Sequence, residues 1–288
     1  MTHPSPGADG LLSPADVRRL AGALGLRPTK SLGQNFLLDA NTIRRIVRIA
    51  DVAPDDVVVE VGPGLGSLTL GLLAAAGRVV AVEIDPVLAG RLAVTVEERL
   101  PAAADRLEVV TADALALHAV PGPAPTAVVA NLPYNVAVPV LLTMLERFPS
   151  VRRGLVMVQQ EVADRLVAPP GSRTYGAPSA KLAWYADARQ AGSISRTVFW
   201  PAPNVDSGLV ALARREPPSG GADRAATFTV IDAAFSQRRK TLRAALAGWA
   251  GSAPAAEEAI RAAGVDPALR GEALGVAEFA AIALHRPG

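Results

Sequence analysis

Hydrophobic positions follow two different periods along this chain. Up to residue 50 they recur every three or four places. In SPADVRRLAGAL, Val17, Leu20 and Leu24 share one helical face, with Ser13 as N-cap and Pro14 in the first turn. DANTIRRIVRIA, from Asp39, reads as a second helix. From residue 56 the pattern changes to short Val-rich runs separated by helical stretches. Strands are expected at 56–62, 78–84, 106–113, 126–132 and 153–159, and helices at 67–77, 86–100 and 138–148. Near-continuous apolar strands alternating with helices imply an α/β fold: a mostly parallel, Rossmann-like sheet with helices on both faces. After EVADRLVAPP the pattern loosens, and two further strands are placed near 193–199 and 207–213.

EPPSGGADRA (216–225) interrupts the pattern and reads as a linker. Beyond it only helical stretches follow: FTVIDAAFSQ, TLRAALAGWA, PAAEEAIRAAG and VAEFAAIALH. The expected organisation has a disordered lead-in over 1–12. A domain over 13–215 follows, with an N-terminal helical extension, then the linker and a small all-α C-terminal domain over 226–288.

Composition narrows the chemistry. A chain of 288 residues suits one sizeable domain plus a smaller one. It has no cysteine, which excludes disulfides and thiolate metal sites. The three histidines, His3, His118 and His285, are dispersed, so no metal site is expected. No apolar run reaches membrane length, and the opening MTHPSPGADG is polar and turn-rich, unlike a signal peptide. A soluble cytoplasmic protein is the expectation, and nothing in the sequence demands more than a monomer.

Net charge is only +2, but it is uneven. Arg18, Arg19, Arg27, Lys30, Arg44, Arg45 and Arg48 crowd the first 48 residues against Asp9, Asp16 and Asp39, and QRRKTLR forms a second basic cluster at 237–243. Such clusters meet phosphates, or they are simply solvated helix faces.

The candidate chemistry lies at the strand ends. VEVGPGLGS places Gly62, Gly64 and Gly66 between the first strand and a helix, where backbone can approach a ligand and the helix N-terminus favours negative charge. Ser67 stands where a dinucleotide fingerprint would want glycine. Glu83 ends the second strand, about 20 residues on, where an acid takes ribose hydroxyls; that position suits NAD and S-adenosylmethionine equally. Asp113 ends the third strand, either accepting a bond from an adenine amino group or serving as an N-cap. Together they describe a nucleoside laid across the carboxyl ends of the strands.

The fourth strand ends in Asn131-Leu132-Pro133-Tyr134. An exocyclic aromatic amine is a poor nucleophile because its lone pair is delocalised into the ring. Accepting its N–H groups on the Asn131 oxygen and a nearby main-chain carbonyl would localise that lone pair and aim it at a sulfonium methyl. Pro133 stiffens the turn, and Tyr134 offers a face on which a base can stack. An amide is no base at neutral pH, so the role of Asn131 is positioning.

These segments resemble, in order, those of the ribosomal RNA adenine N6,N6-dimethyltransferases: KSLGQNFLLD, VVEVGPGLGSLT, VEID, TADAL, NLPYNV, MVQQEVADRL, VFWPAPNVDS and AFSQRRKTLRAAL. The likeness spans roughly residues 28–285, and SLGQNFL with SQRRKTLR resembles the small-subunit branch. That resemblance implies S-adenosylmethionine as cofactor. It implies as substrate two adjacent adenines in the hairpin loop near the 3′ end of 16S rRNA, within a small ribosomal subunit or its precursor. The related resistance methyltransferases, which act on 23S rRNA, are the alternative. By position, Gln34, Asn35 and Leu37 would close over the cofactor's methionine end. Gly62 and Gly64 would meet it from the glycine loop, Glu83 would hold the ribose and Asp113 the adenine. Asn131 would serve cofactor and target base. Phe199 would face Tyr134 as the second wall of an aromatic cage. Arg238, Arg239, Lys240 and Arg243 would grip RNA phosphates.

Overall fold

The computed structural model of the chain describes residues 10–26, 35–218 and 220–287. Two helices come first, α1 (Pro14–Ala23) and α2 (Ala40–Ala50), separated by a two-residue strand, β1 (Phe36–Leu37). Both helices start where short polar side chains can take up orphan N–H groups. The Ser13 hydroxyl accepts from the Asp16 N–H and the Asp39 carboxylate from the Thr42 N–H. The alternating segment follows as β2 (Val57–Val61), α3 (Ser67–Leu73), β3 (Arg78–Glu83), α4 (Pro86–Arg99), β4 (Leu107–Thr111), β5 (Ala127–Asn131), α5 (Ala137–Arg147), β6 (Arg153–Gln159) and α6 (Gln160–Leu166). Then come α7 (Ala177–Tyr185), β7 (Ala186–Ile194), β8 (Phe199–Trp200) and β9 (Ser207–Arg214), and finally α8 (Arg224–Ser236), α9 (Leu242–Ala245), α10 (Ala247–Ala250), α11 (Ala253–Ala262) and α12 (Val276–Leu284).

Seven strands form one sheet in the order β4-β3-β2-β5-β6-β9-β7. β2 pairs in parallel with both β3 and β5, whereas β9 runs antiparallel to β6. From β2 the chain winds outward through β3 and β4, then returns to the other side of β2 through β5. The switch point lies between β2 and β5, and the crevice beyond their carboxyl ends is where a ligand site belongs. The two remaining strands, β1 and β8, form an antiparallel pair of their own.

Residues 10–163 and 189–213 make one compact unit, and residues 164–188 with 214–287 make a second. This differs from the boundaries expected at 13–215 and 226–288. The physical reason is aromatic packing that the hydrophobic pattern does not display. Phe228 of α8 meets Trp184 and Tyr185 of α7 edge-on, at 6.2 and 6.0 Å between centroids, and the Tyr175 hydroxyl donates to the Leu274 carbonyl at 2.8 Å. These contacts tie residues 164–188 to the C-terminal helices.

Two further expectations are corrected. The lead-in expected to be disordered over 1–12 includes Leu11 and Leu12, which are buried in the hydrophobic core with Val17 and Leu20. The strand expected near 193–199 is instead β7, ending at Ile194, with a 3-10 turn before β8. Most of β7 is at least partly exposed, so it lacks the apolar alternation that would reveal it. Among the described residues no helix is long and apolar enough to cross a membrane.

Candidate functional site

The crevice at the switch point is lined by Asn35, Leu37, Gly62, Gly64, Glu83, Asp113, Asn131 and Pro133 among others, and holds about 960 Å³ of space out to its open mouth. Gly62 directly follows β2 and Asn131 ends β5, so they meet across the switch point. A Cβ on Gly62 would lie 3.8 Å from the Asn131 carbonyl oxygen. Gly64 adopts φ +59°, and a Cβ there would stand 3.0 Å from the Phe36 ring. A side chain at Gly64 would therefore strain the backbone and push into the wall of the crevice.

Glu83 is buried, and its two oxygens accept from the backbone N–H groups of Asp85 (3.0 Å) and Gly64 (3.1 Å). Burial raises its pKa, and the nearby Asp85 charge adds to the rise, while these backbone donors offset part of it. The carboxylate retains acceptor capacity beyond these donors for a hydroxyl. Asp113 is the N-cap that its position allows, and it also lies on the crevice wall. Its Oδ1 caps a short 3-10 turn by accepting from the Leu115 N–H at 2.9 Å.

Asn131 donates from Nδ2 to the Asn35 main-chain carbonyl at 3.1 Å. That bond fixes the amide and leaves Oδ1 as its acceptor. Asn35 and Leu37 are held against the crevice in turn, since the Ser67 hydroxyl donates to the Leu37 carbonyl at 2.8 Å. Gln34 lies outside the described residues. The Leu132 side chain is buried in the core, so only its backbone can take part in chemistry. Tyr134 is half-buried, with its hydroxyl 2.8 Å from Ser207 Oγ.

Neither Phe199 nor Tyr134, the two walls of the expected aromatic cage, lines the crevice itself. Phe199 is buried among core residues, and its strand is committed to pairing with Leu37 in the β1–β8 ladder. The four basic residues near 240 are all exposed, but they are not equivalent. Arg238 is bound to Glu272 and to the Arg173 carbonyl, and Arg243 to Glu257. Arg239 and Lys240 form no ion pair among the described residues.

Two crevice residues escaped the sequence reading. Glu60, next to the last residue of β2, is fully buried, lines the crevice and accepts from the Thr69 hydroxyl at 2.6 Å. Burial pushes its pKa up to about 8, and the Glu83 charge adds to the rise. Its signal was a lone acid inside a continuous valine run, DVVVEVG. Ile84 is a large apolar side chain left 57% exposed on the crevice wall, a surface suited to the face of a flat ring. The donor set fits a nucleoside cofactor bearing a cationic amino-acid tail. It offers carboxylates for hydroxyl and amino donors, an apolar wall, a glycine turn for close approach and a buried, proton-holding acid.

The comparisons agree with this geometry. Residues 25–283 match the family model described as "Ribosomal RNA adenine dimethylase". A protein of Streptomyces griseus named "Ribosomal RNA small subunit methyltransferase A" is 70% identical over 280 residues, 97% of this chain and 96% of the relative. One of the same name from Thermobifida fusca is 67% identical and covers both chains completely. Among solved structures, the 23S rRNA methyltransferase ErmE aligns with TM-score 0.62 and 28% identity, covering 88% of this chain and 99% of its own. A dimethyladenosine transferase from Plasmodium falciparum aligns with TM-score 0.72 at 23% identity over 86% of this chain and 95% of its own, a likeness of fold. With its crevice at the switch point, its Asn-Leu-Pro-Tyr turn and a family match over nearly its whole length, this chain belongs to the ribosomal RNA adenine dimethylases.

Proposed function

We propose that the chain transfers methyl groups from S-adenosylmethionine to the N6 amines of two adjacent adenines in the 3′-terminal hairpin loop of 16S rRNA, acting as a monomer on a small ribosomal subunit or its precursor. The single observation that carries the chemistry is the Asn131 amide, held by the Asn35 carbonyl at the lip of the crevice with Oδ1 left to accept. Glu83 and Asp113 would hold the cofactor's nucleoside, Gly62, Gly64, Asn35 and Leu37 its amino-acid end. When bound, S-adenosylmethionine supplies an electrophilic methyl group on a sulfonium centre.

The chain's own part is to present the amine. A target adenine must leave its stack to reach Asn131. Asn131 Oδ1 and the Leu132 carbonyl would then accept its two N–H bonds, turning the nitrogen lone pair towards the crevice. Tyr134 would stack on the base, a contact worth about 1–3 kcal/mol. The methylated nitrogen is cationic and loses its proton readily to water, so no side chain has to act as base. Exposed Arg239 and Lys240 would meet phosphates of the flanking RNA.

The 70% identity to a small-subunit methyltransferase, against 28% to ErmE, favours the small subunit over the large. Isolated small and large subunits offered with labelled cofactor test the choice. Label is expected in small-subunit RNA as dimethyladenine, and label confined to the large subunit would refute it.

A further inference from the structure

Ser207 opens β9, in register with Gln159 at the end of β6. It is fully buried, yet it carries a hydroxyl. A buried hydroxyl without a partner is costly, so what it bonds to matters. The bond it makes is to the Tyr134 hydroxyl, at 2.8 Å and 73 residues away in sequence.

Tyr134 needs such an anchor. It stands on the turn that follows β5, closed by the Val136 N–H donating to the Pro133 carbonyl. Pro133 fixes the backbone but leaves the tyrosine side chain free to swing about χ1. The phenol oxygen lies on the ring's long axis. A hydrogen bond there prevents the swing and permits spinning about the axis, so it fixes where the ring is. Burial raises the phenol pKa, with the Asp206 charge adding to the rise, so the hydroxyl stays protonated near neutral pH. The strand that carries Ser207 is itself fixed at this end, because the Asp206 carbonyl accepts from the Gln160 N–H and the Asp206 carboxylate from the Arg196 N–H.

We infer that Ser207 is a positioning residue for base capture: it pins Tyr134 by the hydroxyl, so that the stacking ring is in place before the adenine arrives. The inference rests on the proposed function, since it assumes that Tyr134 meets the target base. Preorganisation of this kind reduces the ordering that substrate binding must otherwise accomplish. It also gives the serine of NVDS a role that sequence reasoning did not assign.

The test is a double-mutant cycle in single-turnover methyl transfer on small-subunit particles, with cofactor affinity and urea unfolding measured beside it. Ser207→Ala and Tyr134→Phe are each expected to slow transfer roughly tenfold, the scale of one hydrogen bond. The double variant should be no slower than the slower single one. Cofactor affinity should be unchanged in all three, because neither residue lines the crevice. Multiplicative slowing in the double variant overturns the inference. So does coupling seen in unfolding with none in methyl transfer, which would make the bond merely structural. If Ser207→Ala fails to fold, Tyr134→Phe breaks the same bond from the other end, and more than half the wild-type rate in that variant overturns the inference. Wild-type protein that methylates no rRNA particle would instead refute the proposed function, and the inference with it.

Discussion

The two ends of β2 treat buried carboxylates in opposite ways. At the amino end, Asp56 is fully buried but answered on every side. Its oxygens accept from Thr126 Oγ1 (2.6 Å) and the Ala53 N–H (2.8 Å), and it pairs with Arg153 and Arg152. Burial would raise its pKa, but these donors and the Arg153 charge outweigh it and hold the group below the usual range. Four residues on, Glu60 is just as buried, accepts from one hydroxyl, pairs with no cation among the described residues, and is pushed up to about 8. One end of the strand is closed by its own charges, and the other is left electrostatically unfinished, as a ligand site should be. The C-terminal unit repeats the contrast, with Arg238 and Arg243 paired internally and Arg239 and Lys240 in no ion pair among the described residues.

The comparison can be broken most forcefully at the closed end. Asp56→Ala should cost about 3 kcal/mol of folding stability, because it strands buried donors and an arginine. It should leave cofactor affinity of the folded protein intact. Equal loss of both, by urea unfolding and calorimetric titration, would mean the two ends are not separable. At the open end, Asn131→Ala should lower single-turnover methyl transfer by about 10²–10³-fold with near-normal cofactor binding, by analogy with removal of one preorganised polar group. A rate within threefold of wild type would deny Asn131 the presenting role.

Glu60→Gln tests the contrast through pH. An acid whose folded pKa lies above its unfolded value of 4.5 costs stability as pH rises, because the unfolded chain releases its proton first. Unliganded wild type should therefore lose ground to the glutamine variant between pH 4.5 and about 8, by at most about 1.4 kcal/mol per pH unit. Parallel stability curves would show that Glu60 is not held protonated. Asp16 should behave in the opposite sense. Burial works to raise its pKa, but hydrogen bonds from Ser13 and from Arg99 and Arg19 bring it down to about 2. Its stabilising share is thus complete above pH 3.8 and fades as pH falls towards 2. The smallest effect is expected at the basic surface. Arg239→Ala and Lys240→Ala should each reduce the salt slope of particle binding by about 1, whereas Arg238→Ala and Arg243→Ala should change it less.

Much of the site was legible because its residues fall at strand ends, which local pattern locates well. Gly62, Gly64, Glu83, Asp113 and Asn131 were each found by following a valine run to its polar terminus, and the structure brings all five to one crevice. The misreadings share a different cause. Glu60 is hidden in the sequence because an acid inside a buried strand gains meaning only once both faces are known to be covered. Leu11 and Leu12 read as lead-in because two leucines after a polar stretch carry no period.

By itself the sequence determined the alternation of strands and helices, the caps that start α1 and α2, and the polar residues that end each parallel strand. These are local matters of spacing, backbone preference and solvation. Only the tertiary structure decided which strands lie side by side, and hence that Gly62 meets Asn131, that Ser207 reaches Tyr134, and that residues 164–188 belong with the C-terminal helices. Those outcomes depend on contacts between residues tens of positions apart, and a period of two or of 3.6 carries no information about such partners.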